Sequence, residues 1–227
     1  TRRSSDLDLV TLPDLAPTFL EVGGLTPPAV MTGRSLVSLL RSPKSGQVEP
    51  ARDAVYIGRE RHVENARADY LPYPQRAIRT HDFLYIVNFH PERWPLGDPY
   101  RLDGPNPPTL EELTEETRTT LPDDDAGPTK AWLVTHRNDP KWRRHFEWAY
   151  GKRPREELYD LKTDPQQTIN VAAEPRYAVT RAALEKRLMA ELTRTGDPRL
   201  VDDGKFFETP PMSGPTTDTV PARKKKS

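Results

Sequence analysis

The chain has 227 residues, which suits one domain or one and a half and excludes a large multidomain assembly. Its 34 lysines and arginines balance its 34 aspartates and glutamates, so the net charge is zero and favours neither nucleic acid nor an anionic membrane as a partner. The absence of cysteine excludes disulfides, thiolate metal sites and cysteine nucleophiles, and no apolar run is long enough for a membrane-spanning helix.

The N-terminal part predicts one short helix that lacks a partner. Asp14–Gly24 carries apolar side chains near helical spacing, has Pro17 close to its start and ends at a double glycine. A Pro-rich loop and a polar linker follow, so we divide the chain into residues 1–45 and 46–200. Nothing in the first 40 residues supplies a sheet against which this helix could pack. We therefore expect the partner surface of the helix to be missing from the chain.

Strand signals follow the linker. Ala54–Gly58 predicts a short strand, and Arg76–Thr80 with Phe83–Phe89 predict a hairpin because only two residues separate them. The second hairpin strand is apolar on both faces, so we expect it to be central and buried on both sides. Glu157–Leu161 predicts one more strand.

Two helices are predicted around these strands. Thr109–Leu121 has the pattern of an acidic amphipathic helix with Leu110 and Leu113 facing inward. The strongest helix of the chain begins near Pro175 and ends at Gly196. Its apolar stripe consists of Leu184, Leu188 and Leu192.

A further helix has two possible roles for its aromatic side chains. Asp139 and Pro140 suit a cap and a first position, and Trp142, Phe146 and Tyr150 follow at intervals of four residues. Core packing is the favoured interpretation of such a stripe, and stacking on a sugar ring or a base is the alternative.

These elements predict an α+β fold, in which a small antiparallel sheet is covered by a C-terminal helix. Residues 201–227 are rich in Pro, Thr and Ser and are expected to form a disordered tail. The basic end of this tail, Arg223–Lys226, is interpreted as solvated, with polyanion contact as the alternative.

The chain contains no Ser-His-Asp set, phosphate loop, zinc helix or EF-hand loop. One segment concentrates charge directly after a predicted strand, namely Arg59-Glu60-Arg61-His62 followed by Glu64, Asn65 and Arg67. Charged groups at this density cannot all be buried without pairing. The segment is therefore either a solvated loop or the wall of a polar cleft that accepts anions.

Three stretches together resemble one family. They are DLAPTFLEVGGL with TGRSL (Asp14–Leu25, Thr32–Leu36), GRERHVENARADYLPYPQRAIRT (Gly58–Thr80) and ELYDLKTDPQQTINVA (Glu157–Ala172). They are similar to the C-terminal part of the type I sulfatases, especially the heparan N-sulfatase (sulfamidase) branch. The resemblance implies that residues 1–45 are a remnant of the α/β catalytic domain of the alkaline-phosphatase-like fold and that residues 46–200 are the C-terminal α+β domain.

The same resemblance implies a chemistry that this chain does not carry. Sulfatases use a formylglycine made within a C/S-x-P-x-R motif, beside a calcium ion held by Asp and Asn, and this chain lacks the motif. We therefore interpret the chain as a C-terminal fragment that is inactive by itself. Its expected partners are a sulfated glycan and the missing N-terminal catalytic half. The expected compartment is periplasmic or extracellular.

The resemblance also implies that this domain lines the cleft that holds the sugar. A cleft for an anionic, hydroxyl-rich glycan needs a cation for sulfate and a carboxylate for hydroxyl groups. The predicted substrate-binding residues are Glu60, Arg61 and His62, with Arg67 and Arg76 as weaker candidates. No catalytic or metal-binding residue is predicted in the chain. The alternative function is a stand-alone, noncatalytic glycan-binding or interaction module.

Overall fold

Four antiparallel strands form the centre of the fold in a computed structural model that describes residues 7–209. They are β1 (Ala54–Arg59), β2 (Gln75–Thr80), β3 (Phe83–Asn88) and β4 (Glu156–Asp160). Each strand pairs with its neighbour in sequence, in the order β1-β2-β3-β4. The predicted strands, the hairpin and the antiparallel α+β class are confirmed. The description of residues 1–45 as a catalytic-domain remnant stays a prediction.

The helices of the described chain are short apart from one, and none is long and apolar enough to cross a membrane. They are α1 (Leu15–Val22), α2 (Val37–Arg41), α3 (Leu110–Glu115), α4 (Pro128–Thr135), α5 (Arg143–Tyr150), α6 (Ala178–Thr195), α7 (Pro198–Val201) and α8 (Lys205–Glu208). Single 3₁₀ turns occupy Leu12–Asp14, Ala68–Tyr70, Thr117–Thr119 and Pro175–Tyr177.

The main core lies between α6 and one face of the sheet. Tyr85 on β3 pairs with Ile78 on one side and Leu158 on the other, and all three are fully buried. The predicted stripe of α6, Leu184, Leu188 and Leu192, packs on this row. Gly196 ends α6 in the left-handed conformation with φ of 67°, which a glycine adopts without steric cost.

Strand β3 is central, as predicted, but its burial is one-sided. Tyr85 and Val87 lie under α6, whereas Leu84 and Ile86 on the opposite face are only half-buried. The prediction of two-sided burial is therefore wrong, because no described helix covers that face.

A second core lies beneath α3, α4 and α5. Leu113, Val134 and Phe146 are buried there, and Tyr150 donates a hydrogen bond from its hydroxyl to Asp124 Oδ2 at 2.6 Å. The inward orientation predicted for Leu110 is wrong, since that side chain is 62% exposed. The predicted helix over Thr109–Leu121 ends at Glu115, and its buried Leu121 reaches the core from a turn instead.

Helix α4 was not predicted, and one buried charge holds it in place. Lys130 is 2% exposed, and its Nζ donates to the carbonyl oxygens of Thr117, Leu121 and Asp124. These carbonyl groups satisfy an ammonium that would otherwise be costly to bury. Pro128 at the start of α4 was the one local signal for this helix.

The two N-terminal stretches that resemble the sulfatases, Asp14–Leu25 and Thr32–Leu36, contact each other. A Cβ on Gly33 would lie 2.1 Å from the carbonyl oxygen of Pro13, so only glycine fits against this backbone. The neighbouring Arg34 N–H donates to Asp14 Oδ1 at 2.7 Å, and the Leu36 N–H donates to Thr18 Oγ1 at 2.8 Å. The buried side of α1, formed by Pro17 and Thr18, is therefore fixed to this segment through hydrogen bonds.

The opposite side of α1 is apolar and is not covered by residues 7–209. Phe19 and Val22 are each 68% exposed, Leu12 is 81% exposed and Leu25 is 61% exposed. This agrees with the expectation that the chain itself supplies no partner for this helix, as far as the described residues go.

The segment after α6 corrects the predicted tail. Residues 198–209 form α7 and α8 and return to the sheet, where the Phe207 ring lies 5.7 Å from the Arg76 guanidinium and 5.5 Å from that of Arg199. Disorder beginning at residue 201 is therefore wrong for residues 201–209. The basic end, Arg223–Lys226, lies outside the described residues.

The burial of matched leucines yields a stability test. Leu188→Ala removes a fully buried side chain between α6 and the sheet, so we expect it to lower the free energy of unfolding by about 2 to 5 kcal/mol. Leu110→Ala changes an exposed side chain and should stay within about 0.5 kcal/mol of the parent. Urea unfolding followed by circular dichroism measures both, and equal losses would contradict the packing described.

Candidate functional site

Glu60, at the end of β1, is held by two guanidinium groups. Arg76 Nη2 donates to its Oε1 at 2.7 Å, and Arg199 Nε donates to the same oxygen at 3.1 Å. Arg76 in turn donates from Nε to Asp197 Oδ2 at 2.7 Å. Both arginines are at most 6% exposed. Arg199 also donates to Glu60 Oε2. Both carboxylate oxygens of Glu60 are thus paired within an ion-pair network.

This network extends to the C-terminal segment. Arg199 Nη1 donates to Glu208 Oε1 at 2.7 Å, and Arg93 Nη2 donates to Glu208 Oε2 at 2.9 Å. Burial by itself raises the pKa of Glu208, but the hydrogen bonds from Arg93 and Arg199 outweigh it and the pKa is lowered. The network therefore fixes α8 against the loop that follows β1.

A second carboxylate, Asp123, organises the rest of that loop. Its side chain is fully buried and accepts from Arg59 Nη2 and Arg67 Nη2, each at 2.9 Å, and from the Val63 N–H at 2.9 Å. Arg67 also donates to the carbonyl oxygens of Trp94 and Pro95, both at 2.7 Å. Arg67 is therefore a structural residue whose donors point into the protein.

Arg61 and His62 follow Glu60 in this loop, and each keeps nitrogen atoms without a hydrogen-bond partner among residues 7–209. Arg61 donates from Nε and Nη2 to the carbonyl oxygen of Tyr70 and from Nη2 to that of Phe207, while its Nη1 has no partner among residues 7–209. The His62 side chain is 68% exposed, and its Nδ1 lies 3.9 Å from Asp123 Oδ1. These two side chains are the ones in the loop that present polar atoms to an incoming group.

The five predicted site residues do not meet in one cleft. A cleft of about 490 Å³ lies between the N-terminal segment, β1 and α6, and of the five only Arg76 borders it. Several of its other charges are paired, as in the contact of Arg187 with Asp53 at 2.6 Å. Substrate contact by the five residues stays a prediction, and the geometry favours Arg61 and His62 within it.

The residues that complete these networks had no sequence signal. Asp197, Arg199 and Glu208 lie in a segment interpreted as the end of a helix and a tail, and Asp123 in a loop. Glu60 and Arg199 are 139 positions apart in the chain, so no local pattern reports their contact. The expectation that the charges must pair in order to be buried is nevertheless confirmed.

The described residues do not fit a calcium site. Among residues 7–209, no group of three or more His, Asp or Glu side chains is arranged to hold a metal ion. The most buried carboxylate of the loop, Asp123, is occupied by Arg59 and Arg67.

Comparison with known proteins shows what the chain as a whole is similar to. No family model matches the chain. An "Ulvan-active sulfatase" of Formosa agariphila is 28% identical over 195 residues, which are 86% of this chain and 27% of that protein. The human N-sulphoglucosamine sulphohydrolase is 29% identical over 198 residues, which are 83% of this chain and 33% of that protein. The chain is similar to the sulfatases. The resemblance to the sulfamidase branch is confirmed by the human relative.

The chain spans about a third or less of the length of these sulfatases. Solved structures give weaker likenesses. A protein in complex with its substrate D-glucosamine-2-N,6-O-disulfate is 18% identical, with a TM-score of 0.45 over 81% of this chain and 24% of that chain. The phosphonate monoester hydrolase of Agrobacterium radiobacter is 19% identical, with a TM-score of 0.44 over 82% of this chain and 25% of that chain.

The pairing of Asp123 with arginines of β1 and of the loop after it yields a stability test. Asp123→Asn removes the charge that pairs with Arg59 and Arg67, and we expect it to lower the free energy of unfolding by about 3 kcal/mol. Asp125→Asn, at an exposed carboxylate two residues away, should change it by less than about 0.5 kcal/mol. Urea unfolding at neutral pH distinguishes the two variants. An unchanged Asp123→Asn protein would show that this carboxylate does not hold the loop.

The lowered pKa values of Asp197 and Glu208 predict acid sensitivity. Their ordinary values are 3.8 and 4.5, and pairing with arginines lowers both pKa values in the folded state. A lowered folded-state pKa contributes stability that is present above the unfolded-state value and is lost as pH falls through the folded-state value. We expect the free energy of unfolding to fall as pH drops below about 4.5.

Glu208→Gln removes one of these titrating groups and should make the decline with pH shallower. Glu185→Gln is the matched control, since Glu185 is exposed on α6 and forms no ion pair within residues 7–209. Urea unfolding measured between pH 6 and pH 3 gives the slopes. A Glu208→Gln slope equal to that of the parent and of the control would contradict the pairing.

Proposed function

We propose that this chain is the C-terminal part of a sulfatase that removes sulfate, bound to nitrogen or oxygen, from a sulfated glycan. The observation that carries the proposal is the similarity over 83–86% of this chain to two sulfatases of which it spans only 27–33%. The remaining length of a complete sulfatase then supplies the formylglycine nucleophile and the calcium ligands. The chain alone is expected to be inactive.

The exposed face of α1 supports a docked second part. Leu12, Phe19 and Val22 form an apolar surface that residues 7–209 leave open, while the other side of α1 is fixed to Asp14 and the TGRSL segment. An apolar surface of this kind is stabilised by a partner that buries it. In the proposed enzyme, the N-terminal catalytic half covers this surface.

The loop after β1 contributes to substrate binding in this proposal. The ion pairs of Asp123 with Arg67 and of Glu60 with Arg76 fix the loop, so that Arg61 and His62 are held in place before a ligand arrives. Arg61 offers a guanidinium donor to sulfate or carboxylate, and the His62 ring offers a nitrogen to a sugar hydroxyl. Glu60, Arg67 and Arg76 then act as positioning residues. The proposed compartment remains periplasmic or extracellular.

Substrate size tests this role in the complete protein. His62→Ala should lower kcat/KM for a sulfated disaccharide by about tenfold and leave kcat/KM for a small aryl sulfate within about twofold, because the aryl compound makes no sugar contacts. Arg61→Gln should show the same selectivity. His81→Ala, at an exposed histidine in the turn between β2 and β3, is the matched control.

Equal losses on both substrates would overturn the sugar-binding role of the loop. A complete protein that releases no sulfate from any sulfated glycan would overturn the proposed function itself. Binding of such a glycan without hydrolysis would instead support the noncatalytic module.

A further inference from the structure

A groove lined with tryptophans lies between α4 and α5, and two of its lining residues, Leu133 and Ala149, also pack against the second core. It has a volume of about 710 Å³, and three of the four tryptophans of the chain line it. Trp132 is 46% exposed. The groove is lined by Pro128, Thr129, Trp132, Leu133, Trp142, His145, Trp148 and Ala149.

The predicted aromatic stripe, Trp142, Phe146 and Tyr150, is divided between this groove and the second core. Phe146 and Tyr150 are buried in the second core, whereas Trp142 precedes α5 and turns into the groove. Its ring meets Trp132 edge-on at 5.6 Å between centroids. Core packing therefore accounts for two of the three aromatic residues and leaves Trp142 for another role.

The rings form a continuous row. Trp142 lies 5.3 Å from His145, and His145 lies 5.4 Å from Trp148, measured between ring centroids. At the other end, His136 stacks on Trp132 at 3.9 Å. Mutual packing holds these rings in place, so that a ligand meets a preorganised surface.

Positive charge is concentrated in the segment that contains α5, and two of its cations lie over rings of the groove. Residues 141–155 contain six basic side chains and one acidic side chain in a protein of zero net charge. The Lys141 ammonium lies 5.2 Å from the Trp142 ring, and the Arg144 guanidinium lies 4.4 Å from the Trp148 ring. Neither cation is paired with a carboxylate of residues 7–209. This charge favours an anionic occupant.

A polar groove of about 390 Å³ adjoins the aromatic one, and Trp148 lines both. It lies over the sheet face that no helix of residues 7–209 covers, where Leu84 and Ile86 are half-buried. Its walls bring amide, hydroxyl and carboxylate groups together, from Gln75, Glu157, Tyr159, Gln166, Gln167 and Thr168. Groups of this kind bind hydroxyl-rich ligands by hydrogen bonds.

We propose that the two grooves form one binding surface for an anionic, sulfated oligosaccharide, with Trp148 as its central contact. Tryptophan rings pack on sugar rings, the adjoining amides accept and donate to hydroxyl groups, and Lys141 and Arg144 bind sulfate. A second copy of this chain, whose acidic residues cluster on α3, is the alternative occupant that the experiments below distinguish. The inference extends the proposed function, and it uses residues other than Arg61 and His62.

Tryptophan fluorescence of the 227-residue chain tests this proposal directly, because three of its four tryptophans line the groove. Titration with a heparin-derived tetrasaccharide should shift the emission to the blue and protect it from acrylamide. The chemically desulfated tetrasaccharide should bind at least about tenfold more weakly, since the charge-assisted contacts are lost. Added salt should weaken binding of the sulfated form.

Matched variants test whether the tetrasaccharide binds in the two grooves. Trp148→Ala should weaken binding about tenfold, and Trp148→Phe, which retains a ring, should weaken it less. Phe19→Ala, which removes an exposed ring on α1, should leave binding unchanged. Arg144→Gln should weaken binding and reduce its salt dependence, whereas Lys186→Gln on α6 should do neither.

Three outcomes would overturn the inference. One is an emission spectrum that neither tetrasaccharide changes, and another is equal affinity of the parent and a folded Trp148→Ala variant. The third is a blue shift that depends on protein concentration alone, with a dimer in sedimentation, which would assign the groove to a second copy. None of these outcomes concerns sulfate release by the complete enzyme, so the proposed function is tested separately.

Discussion

The fold depends on the pairing of buried guanidinium groups with carboxylates. Arg52, Arg67, Arg76 and Arg199 are each at most 6% exposed, and each donates to at least one Asp or Glu. A buried charge without a partner is strongly destabilising, so each pair fixes the segments that carry it. Because only 34% of the residues are apolar, these pairs set the position of loops that the two apolar cores do not reach. Arg52, for example, joins the N-terminal segment to the sheet through Asp14.

The same pairing decides which charged residues remain available to a ligand. A dense cluster of charges after a strand suggests an anion-binding cleft, but Arg59, Glu60 and Arg67 are paired with charged residues elsewhere in the chain. Glu60 and Arg67 organise the loop, and in the proposed enzyme Arg61 and His62 bind the substrate. Preorganised loops of this kind lose little conformational entropy when a substrate arrives. The charge cluster thus has a structural role first, and substrate contact follows from it in the proposed enzyme.

Two surfaces of the described chain have features that its own packing does not explain. The apolar face of α1 lacks a cover among residues 7–209, and the tryptophan groove combines exposed rings with unpaired cations. The first is apolar and fits a protein partner, whereas the second is cationic and adjoins polar amides, which fits a sulfated sugar. Their different chemistry leads to two different proposed partners.

Local patterns in the sequence determined the strands, the hairpin and the long helix α6, because alternation and helical spacing report burial of one face within a few residues. The family resemblance also came from the sequence, through stretches such as TGRSL and ELYDL. Only the tertiary structure decided that Leu110 faces solvent, that α4 forms around the buried Lys130, and that residues 201–209 return to the loop. It also decided that Glu60 pairs with Arg199. Glu60 and Arg199 are 139 positions apart, and a local pattern cannot report the pairing of charges that only the folded chain brings together.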